Sequence, residues 1–482
     1  MQFNSYVFVL AFLPITALLY FLSNYRSIKM GKFVIIVASF IFYAYTDISV
    51  AKILIVSCFI NYFFSSLMKR FDMKKKFFFV LPVLINICLL IYYKYTNFLI
   101  TNFNQCFSKD FQLKDIVLPI GISFFTFQQI SYCISIYNGT LGLNIIDYFA
   151  YILYFPKILM GPLMDPLDFS QQINDVRRKK VDWENVSNGL KIFSLGLFKK
   201  LLLADTFAKA VDWGIIHVDT ASSMDILLVM LFYTFEIYFD FSGYCDMATG
   251  ASLIFNIMLP INFDSPYKAM SIRDFWKRWH ISLTNFLTRN VYIPLGGSRK
   301  GVVRTCINTL VVFVISGIWH GANWTFILWG VLHGLFSVFD RIFEKVEKKV
   351  FEPVRWFLTF GIINLLWLLF RAQTIQQWVL MIKKILFFTD LNISSELISI
   401  FKIDEIGFLC NKFYFINAVS EKVHGFWLMA FVLIAYVICL IPENNYKRIK
   451  KNSYIEMFFA AILFVWAFLS LGSESVFVYF GF

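Results

Sequence analysis

The sequence predicts an all-α, polytopic membrane protein, and three observations carry that prediction. Of 482 residues, 59% are hydrophobic and only 16% charged, which is more apolar surface than a water-soluble fold of this length hides. Residues 1–25, 77–93, 423–442 and 457–473 contain no formally charged side chain, and a bilayer needs about 20 mostly apolar residues as helix. The basic residues behind the net charge of +13 sit in short loops: Arg26, Lys29 and Lys32, then 69–76, 177–180, 341–349 and 447–451. That is the positive-inside pattern and not a nucleic-acid face. The runs are set apart at helix-length spacing, which favours a bundle over a barrel.

In chain order, the first run lacks a basic n-region and reads as a retained helix. Its following loop is basic, so the N-terminus is expected outside, the Arg26 loop inside, the Asp47 turn outside and the 69–76 loop inside. Residues 1–114 read as four hydrophobic segments, 115–340 as a core rich in motifs, and 341–482 as C-terminal helices. Together they form a single membrane domain, 1–482, of roughly 10 to 13 helical segments. Eight cysteines show no paired spacing, so neither a disulfide framework nor a metal site is indicated.

The core is irregular. Residues 116–146 are charge-free but carry Gln128, Gln129 and Asn138. In 148–169, Pro156, Gly161, Pro162 and Pro166 break the apolar pattern, as in a re-entrant segment buried in protein or a kinked helix. Glu236 and Asp240, four apart in the apolar run 224–260, share a helical face. They point either into a cavity or at basic partners on neighbouring helices. SIRDFWKRWHISLTNFLTRN holds Arg273, Asp274, Lys277, Arg278 and Arg289, with a capping pair at Ser271 and Asp274. Its stripe of Phe275, Trp279, Leu283 and Phe286, beside His280, predicts an amphipathic interfacial helix.

Residues 305–339 contain no formal charge and are too many for one helix. Their centre reads SGIWHGANW, where Gly317 and Gly321 bracket His320 and loosen the backbone between two helical halves. A helix starting at Thr305 puts His320 about 22 Å along it, deep in the hydrocarbon. An imidazole there either works in proton transfer or bonds a neighbouring carbonyl. His333 reads as a packing residue. GxSxG, HExxH and P-loop templates are absent.

The blocks YFPKILMGPLMDPLDF from Tyr154, FDFSGYCDMATG from Phe239, INFDSPY from Ile261, RDFWKRWHISLTNFLTRNVYIPLGGSRKG from Arg273 and WHGANWTFILWGVLHG from Trp319 resemble the membrane-bound O-acyltransferase family, in its alginate O-acetylation branch. LLWLLFRAQT around Arg371 and the terminal FVYFGF match that branch's C-terminal features. Cys245 departs from the serine expected there. The resemblance implies a ring of helices around a funnel, with His320 catalytic and His280 accompanying it. The donor is then acetyl-coenzyme A arriving from the cytoplasm, with no permanently bound cofactor and no metal. His320 is the candidate base, while Asn323, Trp324 or His280 stabilise the oxyanion. Arg273, Lys277, Arg278, Arg299 and Lys300 attract the donor's phosphates, with Trp276 as a further substrate contact, although simple inside-facing interface charge remains an alternative.

The expected function is O-acetylation of an exported or cell-surface polysaccharide across a bacterial plasma membrane. Expected partners are an extracytoplasmic acetyltransferase or esterase-like protein, the polysaccharide export machinery and membrane lipid, but no nucleic acid. Two other readings stand beside it: D-alanyl transfer to teichoic acid from a carrier-protein thioester, and a transporter or channel, whose usual inverted repeat is missing.

Overall fold

The computed structural model describes residues 1–482 apart from 46, 389, 404–406, 409–411, 414–422, 424, 448–452, 472–476 and 478–482. Cys410, one of the eight cysteines, and all of the FVYFGF ending except Phe477 lie outside the described residues. The described chain is 76% helical without strands. Seven of its helical stretches are long and apolar enough to cross a membrane. Contacts group the chain into two compact units, 1–197 with 244–261 and 449–482, and 198–243 with 262–448.

The first unit opens with four segments, as expected from the charge-free runs. They are α1 (Leu13–Arg26, entered through a π-turn), α2 (Ile28–Ala44), α3 (Ile48–Arg70) and α4 (Lys75–Leu90), which α5 (Thr96–Phe107) extends through a further π-turn. Ser27 and Asp47 cap α2 and α3 through backbone N–H bonds. The polar residues of the next run join helices, because amide groups in an apolar bundle must find one another. Asn61 on α3 donates to Gln129 on α6 (Ile122–Tyr137) at 3.0 Å, and Asn86 on α4 donates to Asn61 at 2.7 Å. The proline-broken segment becomes α7 (Ile145–Leu153), α8 (Phe155–Ile158) and α9 (Pro166–Asn174). Residues 150–160 are wholly buried in protein, a setting in which broken backbone is tolerated at such a place. The buried Lys157 amine bonds Gln128 and lies 3.9 Å over the Tyr151 ring. The unit also contains α10 (Trp183–Phe198) and, near the C-terminus, a helix at Tyr454–Leu469.

The second unit contains α11 (Asp205–Ile216) and most of α12 (Ser223–Ile254). The two acids on α12 diverge. Lys200 bridges Asp240 at 2.7 Å and Asp205 at 2.8 Å, so Asp240 is a structural acid with a basic partner. Glu236, 4% exposed, shares that electrostatic neighbourhood with Arg371. There follow α13 (Ile272–Arg278), α14 (Ile281–Leu287), α15 (Gly301–His320), α16 (Trp324–Glu347), α17 (Glu352–Arg371) and α18 (Ile375–Phe387).

Two expectations change here. The predicted amphipathic helix is two short helices, α13 and α14, broken at Trp279 and His280, and His280 has a left-handed φ of 45°. Phe275, Trp279 and Leu283 are at most 2% exposed and Phe286 is half-buried, so most of the stripe packs into protein. The cap is as expected: Ser271 accepts from the Asp274 N–H at 3.1 Å.

The charge-free window does split in two, but its glycines tighten the structure. α15 starts one turn before Thr305 and ends on His320, about 28 Å along. The imidazole therefore stands at the hairpin turn between the two helices. A Cβ on Gly317 would lie 2.4 Å from the Phe326 carbonyl, and one on Gly330 would lie 2.5 Å from the Phe313 carbonyl. The absence of side chains at these positions lets α15 and α16 pack backbone to backbone.

Candidate active site

All ten site residues expected from the sequence belong to the second unit. His320, 4% exposed at the end of α15, packs edge-on against Trp319, Trp329 and Phe370, with ring centroids 4.9, 5.2 and 5.2 Å away. His280 is fully buried and its ring meets the same Trp319 at 6.1 Å and Phe241 at 4.8 Å. One indole thus adjoins both imidazoles.

The environment fixes the His280 tautomer. Asn262 Oδ1 accepts from the Ser282 N–H at 3.2 Å and the Ser282 hydroxyl at 2.9 Å, and lies 3.1 Å from His280 Nδ1. An oxygen already receiving a backbone N–H is the acceptor, so Nδ1 carries the proton and Nε2 a lone pair. Burial lowers the His280 pKa from 6.5 to about 3, which keeps the ring neutral. His280 therefore presents an acceptor at Nε2, and the oxyanion-donor role expected for it would need a protonation that burial opposes.

Asn323 caps α16, accepting from the Thr325 N–H at 3.1 Å and donating to the Gln373 carbonyl at 2.9 Å. Trp324 is 54% exposed. Neither is among the rings packed on His320 in the described structure. A different donor is. Trp329 is fully buried against His320, and its indole N–H has no acceptor among the described residues. Sequence reasoning passed over it because a tryptophan in an apolar run looks like packing. His333, read as a packing residue, accepts from the Trp276 indole N–H at 3.1 Å and meets the Trp329 ring edge-on at 4.6 Å.

A cavity of about 360 Å³ lies beside this cluster, within the range of small-molecule sites. Arg273, Lys277 and Arg341 line it, together with Trp276, Phe313, Ser316 and Ser337. Lys277 is exposed and Arg273 and Arg341 are half-buried, while Ser316 and Ser337 are 4% and 3% exposed. Ser316 precedes His320 by one helical turn, and the Ser337 hydroxyl has no partner among the described residues. Of the expected phosphate contacts, Arg273 and Lys277 share this cavity. Arg273 also pairs with Glu344 at 3.1 Å. Arg278 instead pairs with Asp274 at 2.9 Å, and Arg299 stands in the exposed turn before α15. Neither lines the cavity. Arg341, assigned from sequence to a basic loop, does. No group of histidine, cysteine or acidic side chains suited to a metal occurs among the described residues.

The membrane-bound O-acyltransferase family model matches residues 141–382, the stretch that contains both histidines and the cavity. A peptidoglycan O-acetyltransferase of Helicobacter pylori is 33% identical over all of this chain and 97% of its own length. A protein of Pseudomonas aeruginosa named probable alginate O-acetylase AlgI is 35% identical over 78% of this chain and 73% of its own. A teichoic acid D-alanyltransferase of Streptococcus thermophilus is 25% identical over 54% of this chain and 69% of its own. The chain is therefore an O-acyltransferase and a multi-pass membrane protein, and it belongs to the membrane-bound O-acyltransferase family in its polysaccharide O-acetylation branch.

Proposed function

We propose that the chain carries acetyl from cytoplasmic acetyl-coenzyme A across the membrane to a hydroxyl of a cell-envelope glycan, with His320 as general base. The observation that carries this reading is the cavity along α15 and α16, whose lining combines Arg273, Lys277 and Arg341 with Ser316, one helical turn before His320. An anionic donor docks its phosphates at Arg273, Lys277 and Arg341 and extends only its neutral thioester arm inward. This avoids the large cost of burying phosphate charge. The basic loops, including that at Arg26, then face the cytoplasm and the N-terminus faces outward.

His320 removes the hydroxyl proton as the oxygen attacks the thioester carbonyl, a step worth about 10²- to 10⁴-fold. The Trp329 N–H stabilises the oxyanion, and the His280 lone pair orients the hydroxyl. Collapse breaks the carbon–sulfur bond, and the proton on His320 passes to the departing thiolate. The relative matched over the entire chain is named for peptidoglycan, which supports a peptidoglycan-like acceptor. Delivery proceeds directly or through an extracytoplasmic acetyltransferase partner.

The test is acetyl transfer in proteoliposomes loaded with labelled acetyl-coenzyme A, with glycan acceptor and any partner outside. His320→Ala should remain monodisperse yet transfer no label; near wild-type transfer removes the base assignment. Trp329→Phe keeps the ring and should lower kcat by about 10²- to 10³-fold with little change in KM. Transfer only from a carrier-protein thioester would assign the chain to D-alanyl chemistry instead.

A further inference from the structure

The α1–α2 hairpin of the first unit carries a second cavity, of about 380 Å³, remote in sequence from every site residue. Its lining is almost wholly apolar: Val7, Ala11, Ile15 and Leu19 on one side, Phe33 and Val37 among those on the other. Val7, Ile15, Leu19, Phe33 and Val37 are 39% to 63% exposed, so the groove is open along its length. From Val7 to Leu19 it runs about 18 Å, slightly more than one leaflet's half of a ~30 Å hydrocarbon core.

What lies at one end is charged. Phe33 is one turn from Lys29, and Leu19 is two turns from Arg26; both cations are exposed and pair with no carboxylate among the described residues. Lys32, in the same loop region, differs in being buried and paired with Asp147. Tyr25, 94% exposed, stands beside Arg26, as interfacial aromatics do. An apolar slot one leaflet long, with two unpaired cations and an interfacial tyrosine one to two turns past its end, matches a single amphiphile with a negative head. The geometry points to a binding site for one anionic glycerophospholipid, its phosphate between Arg26 and Lys29 and one acyl chain laid along α1 and α2.

The test is native mass spectrometry of the purified full chain, delipidated and then offered phosphatidylglycerol or phosphatidylcholine with identical chains. Wild type should retain one phosphatidylglycerol with about a tenfold to thirtyfold preference, the worth of two surface cations. Arg26→Gln with Lys29→Gln should abolish the preference, and Ala11→Phe, which fills the groove floor, should lose lipid of either kind. Arg299→Gln, a surface cation elsewhere, should match wild type. Equal retention of both lipids by wild type would overturn the proposal, as would a preference surviving in the double variant. Displacement by millimolar inorganic phosphate would mark an anion site without a chain, and a wild-type dimer turned monomeric by Ala11→Phe would assign the groove to a second copy; either result also overturns it.

Discussion

Replacing Gly330 by alanine tests whether the hairpin geometry sets the reactivity of His320. The added Cβ would stand 2.5 Å from the Phe313 carbonyl and 3.2 Å from the Gly317 Cα, and ordinary contact begins at 3.4 Å. Both obstacles are backbone, so no side chain can swing aside and α15 must move off α16 by about 0.9 Å. Overpacking of this kind costs about 1 to 3 kcal/mol. His320 lies three residues beyond Gly317 on the displaced helix, and a misplacement near 1 Å costs about 10²-fold in rate. Gly330→Ala should therefore lower kcat by about 10- to 100-fold while the protein still purifies as a monodisperse species. Gly361→Ala, whose Cβ meets nothing within 4 Å, should be indistinguishable from wild type. The assay is steady-state acetyl transfer alongside thermal unfolding of each variant. Wild-type kcat in Gly330→Ala would refute the claim that close packing positions the imidazole.

Two further outcomes follow from the site. Arg273→Gln combined with Arg341→Gln should raise the KM for acetyl-coenzyme A with kcat nearly unchanged, and the increase should shrink between about 0.01 M and 1 M salt as the Debye length falls. Equal increases at both salt concentrations would contradict electrostatic capture. Burial lowers the His280 pKa to about 3, so below its ordinary 6.5 the unfolded chain binds this proton and the folded chain does not. Its contribution to stability is thus complete above that value and lost as pH falls toward 3. His280→Gln should lose less unfolding temperature than wild type between about pH 7 and pH 5, and parallel curves would show that the ring titrates normally.

The helix-length charge-free runs made the α-class legible, because backbone in hydrocarbon must satisfy itself. The window around His320 was also legible as two helices with a turn between them. The break at His280 was not, since Phe275, Trp279 and Leu283 keep helical spacing straight through it, and a left-handed histidine has no local signature. Asn262 lies 18 residues before the imidazole it orients, a relation that periodicity does not encode. For Asp240, the sequence revealed an acid in an apolar helix and left its role open between cavity and ion pair. The answer, Lys200, came from a different helix turn. Arg341 and Arg278 exchanged roles for a similar reason. A basic loop and a cationic rim have the same composition, and only packing separates them.

The Gly317–Gly330 contact also restricts how the chain can change length over evolutionary time. It sets the register of α15 against α16, so a residue inserted toward Gly301 shifts the loop end and leaves the far end where it was. Between Gly317 and His320 there are only Ile318 and Trp319. An insertion there would swing the imidazole by about 100° around the helix axis and lift it about 1.5 Å. The tripeptide that ends in histidine should therefore tolerate substitution at Ile318 far better than any change in residue number, while the turn at 293–300 is free to lengthen.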